Sequence, residues 1–545
     1  MENIENKPDN NQVEYSATTP AQGGDVAGPP TGNGGKLNSF VFALAAFAAL
    51  GNVLYGYNQG VMAVILDMPQ FLDQFPQIDA SKSSGAGFLK GLMTAIVEFG
   101  AMFGSLSCGY LADRYSRKRT IFFGSIGFMI GLVLQIASQD YAMLVIGRFL
   151  SGWGIGVFSM VAPLYVSELA PTRWRGALLA MAGWSILVGT SISFWISYGT
   201  RFINSSWCFR LPFAIQLIPA IGLAAGTFLL PYSPRWLAAQ DRHGEGLTVL
   251  CRLRGCSVDH PDAATMAEWT EILIAVQLDR CALTETHGNV TPGSLKWEFL
   301  RWRDLFSTRA MLRRFVVACG LFWFQQLGGI DALLYYGPSF FESLSYGATE
   351  QLNWSGIINC MNLAGGTTTM FTTDRFGRKK LLIAGAIIIT SCHAVLAGLI
   401  GAYSSDWANH QGAAKAGVAM LVIFMFFQGA TFGPTPAVVC NEIFPYRHRA
   451  RGVAFGIANE WLANFTVGLI APPLLDASAW GTFVFFGGCT FLSLFFVIFI
   501  VPETKGVLLE TMDVIFNDRV ADEDAKMRAA ITSELQAEPP IQEIK

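Results

Sequence analysis

The sequence is poor in charge, because Asp, Glu, Lys and Arg together make up only 14% of its 545 residues. Soluble globular proteins carry about 25%, which argues against a chain of soluble domains. The net charge of −3 gives no sign of a nucleic-acid partner. Ten cysteines occur without a CxxC pair and mostly in apolar stretches, which favours buried thiols over disulfides or a metal site.

The sequence also lacks the residue patterns of known catalytic and cofactor-binding sites. The sequence shows no Ser/His/Asp set, no metal-ligand cluster and no phosphate-binding loop, and its six histidines are scattered. We therefore expect neither an enzyme nor a bound cofactor or metal.

The sequence is instead rich in hydrophobic residues, which make up 52% of it. Runs of about 20 apolar residues, enough to cross a lipid bilayer, recur along the chain between basic clusters and Gly or Pro. We predict an all-α integral membrane protein with twelve transmembrane helices. They are expected at 39–62, 88–110, 119–138, 142–166, 177–199, 209–230, 314–337, 354–373, 380–403, 415–440, 453–475 and 481–501.

Basic residues orient this map, because Arg and Lys are enriched in cytoplasmic loops. The loops at 113–119, 171–176, 374–380 and 445–452 are basic and fall on one side. We predict that this side and both termini are cytoplasmic, and that the membrane is the plasma membrane. The N-x-S/T sequons at Asn204 and Asn353 are then candidate glycosylation sites, because they fall in predicted outside loops.

Composition divides the chain into five predicted parts. A polar, Gly- and Pro-rich tail is expected to be disordered, two six-helix halves flank a cytoplasmic linker with short helices, and a cytoplasmic tail follows. Their predicted bounds are 1–36, 37–234, 235–312, 313–503 and 504–545.

An internal repeat supports the two halves. "GYLADRYSRK" pairs with "TTDRFGRKK", "SELAPTRWRG" with "NEIFPYRHRARG", and "PYSPRW" with "PETKG", in the same order and at a nearly constant offset. Carriers built from repeats move one half against the other around a site near the membrane midplane.

The repeated charges predict a cytoplasmic latch in each half. Ion pairs there would hold the cytoplasmic helix ends together while the carrier faces outward, and would break when it faces inward. Topology needs the basic residues but not the acidic ones, so we favour this role over topology alone for the acids. The latch residues are Asp113, Arg117, Glu168 and Arg175 in the first half, and Asp374, Arg378, Glu442 and Arg449 or Arg451 in the second.

These motifs together resemble the sugar porter family of the major facilitator superfamily, over about residues 39–516. The stretches "GRFLSGWGIG", "PLYVSELAPTRWRGAL", "QQLGGIDALLYY", "NEIFPYRHRARG" and "PETKGVLLETMD" carry the resemblance, and the wording is most like fungal monosaccharide transporters. The resemblance implies alternating-access transport of a hexose, a pentose or a polyol, without a chemical step.

A sugar site needs amides and hydroxyls for the sugar hydroxyls, and an aromatic wall for the ring face. Gln325 and Tyr335 lie ten residues apart, close to three helical turns, so a continuous helix would place them on one face. Polar groups in spans also hold helices together, an alternative that stays open for the tyrosines and Asn464. A gate role also fits Tyr335 and Tyr336. The predicted substrate-binding residues are Gln325, Gln326, Asp331, Tyr335, Tyr336, Asn359, Glu460, Trp461 and Asn464.

Four positions depart from the family pattern. Asp331 and Glu460 stand where the family has Asn, Gly183 stands for a Gln, and Ala437 stands for a Trp. The pocket should therefore be wider and more negative. A larger glycoside stays an alternative substrate, and a quinate-like acid is disfavoured because like charges repel in a medium of low dielectric.

Coupling to protons depends on three residues. Proton-coupled members of the family have an Asp at the position of Asn58, paired with the Arg found here as Arg148, and Asn cannot titrate. Glu98 lies inside span two, and an acid inside a membrane is costly enough to indicate function. Glu98 could replace the missing Asp. The alternatives are a permanent ion pair with Arg148 and a protonated acid that is hydrogen-bonded within the helix bundle. Proton symport and passive uniport both stay open.

A transporter-like sugar sensor is the rival class. Such receptors commonly have long cytoplasmic tails, and 29 residues follow Phe516 here, which favours a carrier.

Overall fold

The computed structural model describes residues 39–79, 81–83, 85–288, 294–445, 448–507, 512–513, 515–516 and 526–533. The predicted disordered tail at 1–36 and most of the predicted tail at 504–545 lie outside the described residues. So does the side chain of Asp374. The described chain is helical, with turns and no strand.

The described residues of the first half form eight α-helices and a short 3-10 helix at Pro76–Ile78. Its sixth predicted span is two helices, which meet at Gln216. The bounds are α1 Ser39–Ile65, α2 Pro69–Gln74, α3 Ala86–Tyr115, α4 Arg117–Ala137, α5 Tyr141–Leu169, α6 Thr172–Thr200, α7 Trp207–Ile215 and α8 Leu217–Gly226.

The linker between the halves forms four helices on one membrane face, which we call the linker side. Side chains of Asp262 and Ser294 cap two of these helices by accepting hydrogen bonds from backbone N–H groups. The longest has 25 residues, more than the short helices expected. The bounds are α9 Pro234–Ala239, α10 His243–Arg254, α11 Ala263–His287 and α12 Leu295–Asp304.

The second half repeats the arrangement, but its first and fourth spans are interrupted. A π-helical turn at Gln428–Phe432 lies between α17 and α18. The bounds are α13 Arg309–Leu327, α14 Ile330–Glu342, α15 Ala348–Phe376, α16 Arg378–Tyr403, α17 Gln411–Phe427, α18 Thr435–Ile443, α19 Arg449–Ala477 and α20 Ala479–Phe499.

Eleven segments of the described chain are long and apolar enough to cross a membrane. The twelfth span is α15, which has 29 residues but many Thr, Asn and Gly. It packs against α6, α14 and α17, and its Ser355, Asn359, Asn362 and Thr369 are buried within the protein. The chain is an integral membrane protein with twelve spans in two six-helix halves, as its hydropathy predicts.

The two halves meet along three helix pairs: α3 with α19, α6 with α15, and α1 with α14. A cavity lies between the halves and opens on the linker side.

Close backbone contact within the first half depends on glycine. Where α3 crosses α5, a Cβ on Gly152 would lie 1.9 Å from the Val97 carbonyl oxygen, and one on Gly156 would lie 2.0 Å from that of Ala101. Small residues let membrane helices approach in this way, since apolar lipid gives them no hydrophobic reason to associate.

We expect Gly156→Ala to separate α3 from α5 and to lower the free energy of unfolding by about 1–3 kcal/mol, the usual cost of overpacking. The measurement is thermal unfolding of the purified protein in detergent. Gly109→Ala on α3 is the control, because a Cβ there meets nothing within 4 Å. Equal melting temperatures for the two variants would contradict the close backbone contact between α3 and α5.

Candidate functional site

The cavity between the halves has a volume of about 2650 Å³. It runs from the middle of the membrane to the linker helices. Five of the predicted substrate-binding residues line its inner end: Gln325, Gln326, Asp331, Glu460 and Trp461.

The break between α13 and α14 forms one wall of this inner end. Gly329 has φ +86, a conformation that favours glycine, and it separates the two helices. The Gln325 side-chain amide donates to the Gly433 carbonyl oxygen at 3.1 Å, and the Gln428 amide donates to the Gln325 carbonyl oxygen at 3.2 Å. Side-chain amides therefore donate hydrogen bonds to backbone carbonyl oxygens where two of the spans are interrupted.

The opposite wall comes from α1 and α19. The rings of Tyr55 and Trp461 have centroids 4.7 Å apart, and one helical turn further the Gln59 amide lies 3.5 Å from Asp331 Oδ1. Aromatic faces beside amides and a carboxylate suit a ring with several hydroxyl groups. Tyr55 and Gln59 were missed by the sequence analysis, although their spacing of four on α1 places them on one face.

Four predicted site residues do not line the cavity in this conformation. The Tyr335 hydroxyl donates to Glu98 Oε1 at 2.6 Å and lies 3.1 Å from Asn464 Oδ1. Tyr336 donates to the Gly468 carbonyl oxygen at 2.8 Å, and Asn359 donates to that of Ser355. The break at Gly329 changes the helical phase, so Tyr335 does not share a face with Gln325.

The three coupling candidates are buried and separate. The Asn58 amide is 3.5 Å from Gln216 Oε1, and Arg148 Nη2 donates to the Thr94 carbonyl oxygen at 2.9 Å. Within the described chain no ion pair joins Glu98 to Arg148. Glu98 instead accepts its hydrogen bond from Tyr335, across the interface between the halves.

The predicted latch of the first half is an ion-pair cluster on the linker side. Arg117 contacts Glu168 at 2.8 Å and Asp113 at 3.3 Å. Arg175 lines the cavity nearby, with no ion pair to these acids among the described residues.

Linker helix α12 extends this cluster to the second half. Arg451 contacts Glu298 of α12 at 2.7 Å and Asp113 at 3.6 Å, and Arg301 of α12 lies 4.0 Å from Asp113. These contacts join α3, α12 and α19. The sequence analysis did not single out Glu298 or Arg301, because nothing in a polar linker shows which charges face the helix ends.

The second half has its own contacts on this side. Arg378 contacts Glu442 at 2.8 Å, and Arg449 Nε donates to the Phe444 carbonyl oxygen at 3.4 Å. The backbone N–H of Arg378 donates to Glu503 at 3.0 Å, which attaches the segment after α20 to the start of α16.

The two sequons differ in setting. Asn204 is exposed between α6 and α7, whereas Asn353 is exposed but lies within the second turn of α15.

The family described as "Sugar (and other) transporter" matches residues 44–516. The chain belongs to this family. The transporter is 30% identical to an MFS glucose transporter from Aspergillus flavus over 88% of its own length and 90% of the relative's. It is 31% identical to an H(+)/hexose cotransporter from Parachlorella kessleri over 91% of each chain.

A solved structure shares the fold of the transporter. The xylose transporter XylE from E. coli, in a partially occluded inward-open conformation, superposes with a TM-score of 0.70 at 23% identity. The match covers 86% of this chain and 100% of the other. The transporter thus has the twelve-helix fold of the major facilitator superfamily, and its family is one of transporters rather than enzymes.

We expect Arg451→Met to lower the stability of the transporter by about 3 kcal/mol, because it leaves Glu298, whose side chain is only 14% exposed, without its ion-pair partner. Melting in detergent measures the effect. The matched control is Arg528→Met, whose pair with Glu271 at 2.5 Å is exposed and should be worth less than about 1 kcal/mol. A drop as large for the control would show that burial is not the cause.

Proposed function

We propose that the protein carries a monosaccharide across the membrane by alternating access. The observation that supports this most is the inner end of the cavity, where the interrupted span α13–α14 presents two amides and a carboxylate, and α19 presents an indole ring. Discontinuous helices place polar groups at midplane binding sites in such carriers. The small Gly183 and Ala437 also line this cavity, which leaves room for a larger glycoside.

The linker side is the cytoplasmic side in this proposal, because the basic loops and the linker lie there. The cavity then faces the cytoplasm. The plasma membrane is the proposed location, with both termini inside. The latch contacts of Arg117 and Arg378 each stay within one half, so they can persist while the cavity is open.

Proton symport through Glu98 is the proposed coupling. Glu98 is 2% exposed on α3, and its partner Tyr335 lies on α14 in the other half. A hydrogen bond to a charged carboxylate is stronger than one to a neutral acid. Protonation of Glu98 would therefore loosen α14 from α3, which links proton binding to movement of the halves.

Passive uniport is the second candidate, supported by Asn58. This residue cannot titrate, and its amide faces Gln216. If the residue at position 58 decides coupling, the protein carries sugar without moving protons.

The test is expression in a yeast strain without sugar carriers, with external pH recorded while single sugars are added. We expect saturable uptake with alkalinisation. Glu98→Gln should abolish the alkalinisation and leave facilitated exchange. Tyr335→Phe should reduce coupled uptake on the order of tenfold, the value of one charged hydrogen bond.

The matched control is Glu245→Gln, an exposed acid on α10, which should leave both signals unchanged. Uptake without any pH change would favour uniport. Absence of uptake for every sugar, with the protein at the cell surface, would contradict transport and favour a sensor.

A further inference from the structure

The inner end of the cavity contains two acids without a counter-charge. Asp331 is 3% exposed, and Glu460 is half-buried beside Trp461. Among the described residues neither acid has an ion-pair partner, and Asp331 Oδ2 accepts no hydrogen bond. A carboxylate so enclosed is costly to leave unpaired.

The two acids border the same space. Tyr55 and Gln59 lie one turn apart on α1, and they contact Trp461 and Asp331 respectively. Asp331 and Glu460 both line the cavity beside these contacts, so a small molecule at the inner end lies near two acids.

Several fully enclosed acceptors at this end have no hydrogen-bond partner among the described residues. Gln325 and Asn52 each donate one amide N–H to a backbone carbonyl oxygen, while their side-chain oxygens accept no hydrogen bond. The one buried donor without a partner here, within the described chain, is the Trp461 ring N–H. The buried acceptors without a partner are Asn52 Oδ1, Gln325 Oε1, Gln326 Oε1, Asp331 Oδ2 and Asn362 Oδ1.

The cavity's own cations lie elsewhere. Every Arg that lines it, among the described residues, belongs to a linker helix, to the linker-side end of a span or to segment 526–533. Arg117, Arg378 and Arg451 are already engaged by acids there. None of these cations neutralises the inner end.

We infer that the inner end of the cavity selects an amine-bearing sugar in its protonated, ammonium form. An ammonium group has three donors, no acceptor and one positive charge, which matches a site with unpaired acceptors and two acids that lack a counter-charge. A hydroxyl group has only one donor for the same acceptors. The inference rests on the proposed transport function and names its substrate class.

The test compares glucosamine with glucose, and with N-acetylglucosamine, in which the same nitrogen is uncharged. In the carrier-deficient yeast at mildly acidic pH, glucosamine should compete for glucose uptake at least about tenfold better than the N-acetyl sugar, the factor for one charged hydrogen bond. Asp331→Asn and Glu460→Gln should each reduce that preference. Gluconate, an anion, should compete least.

Asp73→Asn is the matched control, since Asp73 is an exposed acid on α2 and should keep the full preference. Glucose uptake with no preference for the amine would overturn the inference while leaving transport intact. A preference that survives both cavity substitutions would overturn it as well.

Binding to purified protein makes the two failures distinguishable. If no sugar is taken up, the transport proposal fails, and melting temperatures in detergent still rank the ligands. Stabilisation by glucosamine above glucose and N-acetylglucosamine, lost in Asp331→Asn, would support the amine site. Equal stabilisation by all three would reject it.

Discussion

The structure depends on one constraint: inside a bilayer, every backbone N–H and C=O must find its partner within the protein. Twelve helices meet this constraint for most of the chain. Two of the interruptions, at Gly329 and around Gly433, lie in spans that line the cavity, and there the side-chain amides of Gln325 and Gln428 donate hydrogen bonds to backbone carbonyl oxygens. Gln325 therefore both lines the cavity and makes an irregular backbone tolerable in the membrane.

The two halves are held together in different ways at different depths. Near the middle, Tyr335 of α14 donates one short hydrogen bond to Glu98 of α3. On the linker side, Arg451 of α19 forms ion pairs with Asp113 of α3 and Glu298 of α12. The Glu98–Tyr335 hydrogen bond is thus one of several polar contacts between the halves, with those of Gln59 to Asp331 and of Trp184 to Thr367.

Much of this organisation could be predicted from the sequence. Hydropathy and basic loops indicated twelve spans and two halves, and the double Gln motif placed Gln325 and Gln326 at the cavity. Tyr335 was expected on the face of Gln325, because counting 3.6 residues per turn assumes a continuous helix. The left-handed Gly329 breaks that count. The partners Glu298 and Gln59 could not be predicted, since they depend on how distant helices dock rather than on local periodicity.

The position of the linker affects how a solute leaves. Helices α11 and α12 border the same cavity as the inner site, so separation of the halves alone does not give free diffusion into bulk water. A departing molecule passes a second boundary made of paired charges and the Trp297 and Trp302 rings. The linker therefore forms the lining of the exit from the cavity, and a solute that leaves the inner site contacts charged and aromatic residues of α12 before it reaches bulk water.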